Sequence, residues 1–270
     1  MESKDEEAQM KISPSTVDLG AAATKLNRIW KPDMLQILED GAEDDDAVGR
    51  GLLLSAHEYA QDGTVDGIDL SDCDSRYLTS SVVLGLAGLA TRCKQLNLTT
   101  TLEVGELSPL LIAPLGSQSL KTLTLTMGAG NIDGLLSTVA ACCPCVEEFV
   151  LWKIFEEDEV SNSETMWRAE VKEIALLLSK LKSLRILSLN NIKFEDSLEA
   201  KEGLMSDGAE STLKGLALVD CSYGDSFLQT VTASGSLLYL DVVQGVEKDN
   251  EGFEGNNYTF GSSRGQRITE

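Results

Sequence analysis

Three cysteines fall within four residues at Cys142-Cys143-Pro144-Cys145, the densest set of metal-capable side chains in the chain. Thiolates so placed bind zinc, but a structural zinc site draws four ligands, usually as two spaced pairs. No second pair is present: the remaining cysteines are Cys73, Cys93 and Cys221, and the only histidine, His57, is distant in sequence. The cluster therefore reads as core, and no metal ligand is assigned. A histidine-centred triad would have to use His57. The sequence carries no phosphate loop, no H-E-x-x-H and no dinucleotide fingerprint. Asp44, Asp45 and Asp46 lack the alternating spacing and closing glutamate of a calcium loop. No catalytic residue and no cofactor are assigned, so the chain is expected to be a non-enzyme.

The elements that would position any site follow from a recurring phrase, Leu-x-x-Leu-x-Leu or its apolar equivalents. It opens at Val65, Cys93, Leu120, Val146, Leu184, Leu213 and Leu237, with steps of 28, 27, 26, 38, 29 and 24 residues. Side chains alternate across a strand, so the first, fourth and sixth residues of each phrase point inward and the others toward solvent. Between phrases the period changes to a helical one. Ile132, Leu135, Leu136, Val139 and Cys143 share one helical face, as do Trp167, Val171, Ile174, Leu178 and Leu181. Ser108-Pro109 reads as an N-cap with proline in the first turn, and Asp225 as a cap for a helix starting near Phe227.

A period of this size, with strand, turn and helix in each unit, resembles the leucine-rich repeat solenoids. Cysteine at the ninth position, as at Cys73 and Cys221, makes the chain similar to the ribonuclease-inhibitor-like and cysteine-containing classes of that repeat. The resemblance covers about residues 63–248. It implies an α/β horseshoe of about seven repeats, with a parallel concave sheet and convex helices. The ninth position is Thr101, Gly128, Ile154, Ile192 and Gly245 in the other copies.

Four regions are expected. Residues 1–25 are polar and acidic, with too few large apolar groups to offset the entropy of ordering them, and read as a disordered arm. Residues 26–62 read as an N-terminal helical cap: a first helical segment carries Leu26, Ile29, Trp30, Met34, Leu35, Ile37 and Leu38 around Pro32, and a second carries Leu52 to Tyr59. The repeats occupy 63–248, and the 38-residue step holds an acidic insertion near 155–165. Glycine-rich, polar residues 249–270 read as a flexible tail.

Forty-four acidic residues against 22 basic give a net charge of −22. Such a chain repels the phosphates of nucleic acid and an anionic membrane surface, and it admits a basic protein partner. The charged N-terminus lacks the apolar run of a secretory signal, and no stretch reaches the roughly 18 apolar residues of a membrane helix. A soluble cytoplasmic or nuclear protein with reduced cysteines is expected.

The third, fifth and seventh residues of each phrase define the open face of the sheet. Copies one to three display Gly67, Asp69, Ser71, Gln95, Asn97, Thr99, Thr122, Thr124 and Thr126, all small or polar. Copies four to seven display Glu148, Val150, Trp152; Ile186, Ser188, Asn190; Gly215, Ala217, Val219; and Tyr239, Asp241, Val243. Here the face turns apolar. Contiguous apolar patches with aromatic anchors mark interaction sites, so Val150, Trp152, Ile186, Val219, Tyr239, Asp241 and Val243 are the candidate partner-binding residues. The alternative is that a tail or the acidic insertion covers them.

One further segment, Lys31-Pro32-Asp33-Met34-Leu35-Gln36-Ile37-Leu38, resembles the proline-acid-leucine-isoleucine opening of the F-box, which precedes many repeats of this class. It lacks the leucine before the proline and the later basic, tryptophan-containing helix. This likeness implies a substrate-recognition subunit of a ubiquitin ligase bound to a Skp-type adaptor, as an alternative to a general interaction scaffold.

Overall fold

Alternating apolar residues build a parallel strand from every copy of the phrase. The computed structural model describes residues 28–39, 44–112, 119–128, 132–153, 166–195, 212–233 and 235–243. The expected arm at 1–25, the acidic insertion near 155–165 and the tail at 249–270 lie outside the described residues. The seven phrases supply β2 (Gly67–Leu70), β3 (Gln95–Thr100), β4 (Thr122–Met127), β5 (Glu148–Lys153), β7 (Ile186–Asn190), β9 (Gly215–Val219) and β10 (Tyr239–Val243). With β1 (Ile29–Trp30) they form one eight-stranded sheet in the order β1-β2-β3-β4-β5-β7-β9-β10. Every neighbouring pair is parallel.

Register is the same at each step. Gly67, Gln95, Thr122, Glu148, Ile186, Gly215 and Tyr239 form one row across the strands. The second residue of each phrase extends the ladder: the N–H groups of Lys94, Lys121, Glu147, Arg185, Lys214 and Leu238 each donate to the second-position carbonyl of the copy before. A one-residue slip would turn every inward side chain to solvent, and the leucines enforce the register for that reason.

Helices cover one side of the sheet. After α1 (Met34–Glu39), α2 (Asp45–Gln61), α3 (Ser80–Ala90), α4 (Val104–Ile112), α5 (Leu135–Cys142), α6 (Val171–Lys180) and α7 (Asp225–Thr232) pack each against the next. The architecture is thus α/β, a parallel sheet with a helix layer on one face. Between the layers lies one apolar core. First, fourth and sixth positions are buried in copies one to six, from Val65, Ile68 and Leu70 through Leu213, Leu216 and Leu218. In copy seven they are not: Leu237 and Leu240 are only partly buried and Val242 is 40% exposed. Among the described residues no strand flanks β10 on its outer edge.

Four local expectations are corrected. Ile29 and Trp30 form a strand, not part of a helix, because their backbone continues the ladder onto Gly67 and Ile68. Trp30 is buried with its indole N–H donating to Ser55 Oγ at 3.4 Å, and the Tyr59 hydroxyl donates to the Ile29 carbonyl at 3.1 Å. Trp167 likewise lies in a strand, β6 (Trp167–Glu170), which pairs with β8 (Ile192–Glu195) in a second, two-stranded sheet. Ser108 and Pro109 sit inside α4, where the Ser108 hydroxyl donates to the Val104 carbonyl at 3.0 Å. The start of α4 is held instead by Glu106, whose carboxylate accepts the Glu103 N–H at 3.2 Å. Asp225 is the first helical residue of α7, following Gly224 as cap, and there it favours the positive end of the helix dipole.

The extra ladder of β8 is launched by a left-handed residue. Asn191 (φ 55°) and Asp220 (φ 49°) are both eighth in their phrases, and asparagine and aspartate tolerate that conformation better than other residues with a side chain. Their N–H groups donate to the carbonyls of Val219 and Val243 on the following strand. Past each turn the chain pairs again, Lys193 bridging to Ser222, and Phe194 stacks on Phe227 of α7 at 4.4 Å between ring centroids.

Removing the fully buried Phe149 side chain from the sheet centre is expected to cost about 3–5 kcal/mol. Leu240→Ala, on the half-open last strand, should cost clearly less; urea denaturation of the two variants against wild type measures both.

Candidate protein-binding face

Strand alternation and the fixed register place the alternate side chains on the sheet face away from the helices. They fall in three rows. The first is the row from Gly67 to Tyr239, the second runs from Asp69 through Val150, Ser188 and Ala217 to Asp241, and the third adds Val219 and Val243. The candidate residues are thereby brought together on β5, β7, β9 and β10. Tyr239 is 71% and Ile186 46% exposed; Val243 and Asp241 are exposed, while Val150, Trp152 and Val219 are half-buried.

Two residues depart from the expected display. Asn190 is buried, because its amide is used in the sheet: Oδ1 accepts the Lys153 N–H at 3.2 Å and Nδ2 donates to the Val219 carbonyl at 3.4 Å. It braces the C-terminal ends of β5, β7 and β9, a role that the alternation alone does not reveal. Gly67 is also buried, since a Cβ there would lie 3.2 Å from both the Gln95 Cβ and the Ile29 side chain. Trp152 is oriented by its indole N–H, which donates to Ser188 Oγ on β7 at 3.4 Å, leaving the ring half open on the face. A tryptophan held this way presents apolar area with little rotamer entropy to lose on binding.

At the N-terminal edge of the face a few polar groups pair with one another. Asp69 accepts the Ser71 N–H at 3.1 Å, and Lys31 reaches Asp72 at 2.7 Å and Asp69 at 3.9 Å. The hydrogen bond with Asp72 raises the Lys31 pKa, and the same bond lowers that of Asp72.

Charges line the entrance to the strands. The second positions read Asp66, Lys94, Lys121, Glu147, Arg185 and Lys214. Lys94 pairs with Asp66 at 2.8 Å and Lys121 with Glu147 at 2.9 Å. The Lys121 hydrogen bond, with a smaller contribution from Arg185, holds the Glu147 carboxyl below its ordinary value. Arg185 and Lys214 are exposed and stand beside a shallow groove of about 440 Å³, lined further by Ile186, Gly215, Ala217, Tyr239 and Asp241. Sequence reading missed this groove. Its signal was the pair of small residues, Gly215 and Ala217, at display positions between larger neighbours.

The residues that suggested chemistry lie elsewhere. His57 is exposed on α2, in the helix layer. Cys142 and Cys143 end α5 in the core, with Cys143 Sγ donating to the Leu111 carbonyl at 3.7 Å. Among the described residues no three His, Cys, Asp or Glu side chains are grouped to hold a metal ion. No helix among them is long and apolar enough to cross a membrane. No protein-family model matches the chain, and no curated protein matches it.

Burial pushes the Cys93 and Cys143 thiols up to about 12 and those of Cys73 and Cys221 up to about 11, from an ordinary 9.0. The folded chain therefore keeps thiol protons that the unfolded chain releases above pH 9. Their contribution to stability is fully present below pH 9 and is lost as the pH rises toward 11–12. Urea midpoints under reducing conditions should fall between pH 8.5 and 10.5, and Cys93→Ala should show a shallower fall than wild type, relative to its own midpoint at the lower pH.

Proposed function

We propose that this chain is a non-enzymatic protein-interaction module of the leucine-rich-repeat type, gripping a protein partner on the concave face of a horseshoe. The observation that carries the reading is the exposure of Ile186, Tyr239 and Val243, with the oriented ring of Trp152, on a face of the sheet that no described element covers. Exposed apolar patches of this kind are uncommon on soluble proteins unless something binds them, and aromatic residues carry most of the energy of such contacts. The burial of the first, fourth and sixth residues in six successive copies supports the repeat class. The net charge of −22 disfavours nucleic acid and anionic membranes as partners, and the reading places the protein in the cytoplasm or nucleus.

A second reading, the ubiquitin-ligase adaptor, draws on one observation: Leu35 and Leu38 of α1 are 75% and 42% exposed. Leucines so placed would suit a Skp-type adaptor. Against it, the chain around α1 is tied to the sheet through β1, the buried Trp30 and the Arg28 side chain, which donates to the Tyr59 carbonyl at 3.1 Å. A Leu35→Ala/Leu38→Ala variant separates the two.

The test is a pull-down from eukaryotic extract with wild type and a Trp152→Ala/Tyr239→Ala double variant of equal circular dichroism. Partners held by the face should fall by roughly 30-fold or more in the double variant, the effect of losing one strong aromatic anchor. An unchanged partner set removes the reading; loss of a Skp-type adaptor only with the leucine variant moves the function to the N-terminal cap.

A further inference from the structure

Resting on the protein-binding reading above, we infer that the groove along β9 receives a linear segment of a partner protein that carries one bulky apolar side chain next to a carboxylate. Ile186, Gly215 and Tyr239 lie in one row on β7, β9 and β10. Adjacent strands are about 4.8 Å apart, so the two large side chains stand about 10 Å from one another with only a hydrogen atom between them. Ala217 continues this low floor, and Asp241 continues the Tyr239 wall. A gap one strand wide between apolar walls takes one side chain of a chain lying over the face.

The charge at the two ends of the groove fixes the occupant's polarity. Arg185 and Lys214 flank the end where the strands begin, and Asp241 lies farther along. Arg185 lends only a field to Glu147, whose hydrogen-bonding partner is Lys121. Lys214 makes no ion pair with any described residue, although acidic residues outnumber basic ones two to one in this chain. A carboxylate on the occupant meets both cations, whereas one at the other end would meet Asp241. The negative field of the whole chain still favours a partner whose remaining surface is basic or neutral. The groove thus asks for an acidic residue in a partner that the net charge alone would make basic.

Gly215 also supplies a clean test. A Cβ there would meet nothing closer than the Ile186 side chain at 3.9 Å, and β-branched residues suit a strand, so Gly215→Val fills the groove without disturbing the core. Random dodecapeptides displayed on phage are selected on the immobilised 270-residue chain, and the most enriched sequence is made as a fluorescent peptide. The selected sequences should pair Phe, Tyr, Trp or Leu with a nearby Asp or Glu. Affinity by anisotropy should drop about tenfold or more in Gly215→Val. It should drop severalfold in Lys214→Glu, whose binding should also lose most of its salt dependence. Thermal melts of both variants should match wild type.

Absence of enriched peptides, enrichment of Lys- or Arg-rich peptides, or wild-type affinity in both variants overturns the inference. Peptides lost with Trp152→Ala but retained by Gly215→Val and Lys214→Glu leave the face as a binding surface and remove the groove. Peptides indifferent to all three variants, Trp152→Ala included, remove both.

Discussion

Each strand of this protein buries its inward residues only because another strand and its helix stand on either side. Ile68, Leu96, Leu123, Phe149, Leu187 and Leu216 lie at the same register position in successive strands, and each is sealed by the next. A single unit has an apolar side with nothing to cover it; stacking supplies the cover, so stability is a sum over neighbouring pairs. The fixed register, the helix layer and the order of display on the open face all follow from that lateral burial.

The two ends of the stack meet the same requirement differently. At the N-terminal end, β1 and α2 close the first unit, with Trp30 in the core and Arg28 lying over the Tyr59 ring at 4.8 Å. At the other end β10 leaves Tyr239, Val242 and Val243 exposed on both faces of one strand, and Leu238 just before it is exposed as well. Asp241 in the middle of that strand opposes pairing with another strand edge, since a charge is costly to enclose there. The apolar half of the open face is contiguous with this less sealed end. The exposed apolar display and the incomplete coverage of the last unit are thus parts of one surface.

Polar side chains divide their work along the sheet. At the N-terminal edge Asp69 accepts the Ser71 backbone N–H and lies 3.9 Å from Lys31. In the second half Asn190 and Ser188 brace the strands and the indole of Trp152 rather than facing solvent. What remains open there is mainly apolar surface edged by Arg185 and Lys214. The open face thus changes from polar to apolar along the sheet.

The sequence by itself determined the seven repeated strands, their inward residues and the face on which Trp152, Ile186 and Tyr239 stand. These depend on a period of two within a phrase and a helical period between phrases, both local to a few residues. Only the tertiary structure decided that Ile29 and Trp30 form a strand, that Trp167 starts a second ladder, that Asn190 turns inward and that Gly215 opens a groove where Gly67 does not. Each of those outcomes is set by the neighbouring unit, which lies some 25 residues or more away in the chain for most of the sheet. Two glycines at the same position in their phrases are identical as letters. A side chain at one would crowd Gln95 and Ile29 at 3.2 Å and at the other would meet only Ile186 at 3.9 Å, because burial is fixed by what stands beside a residue rather than by the residue's own type.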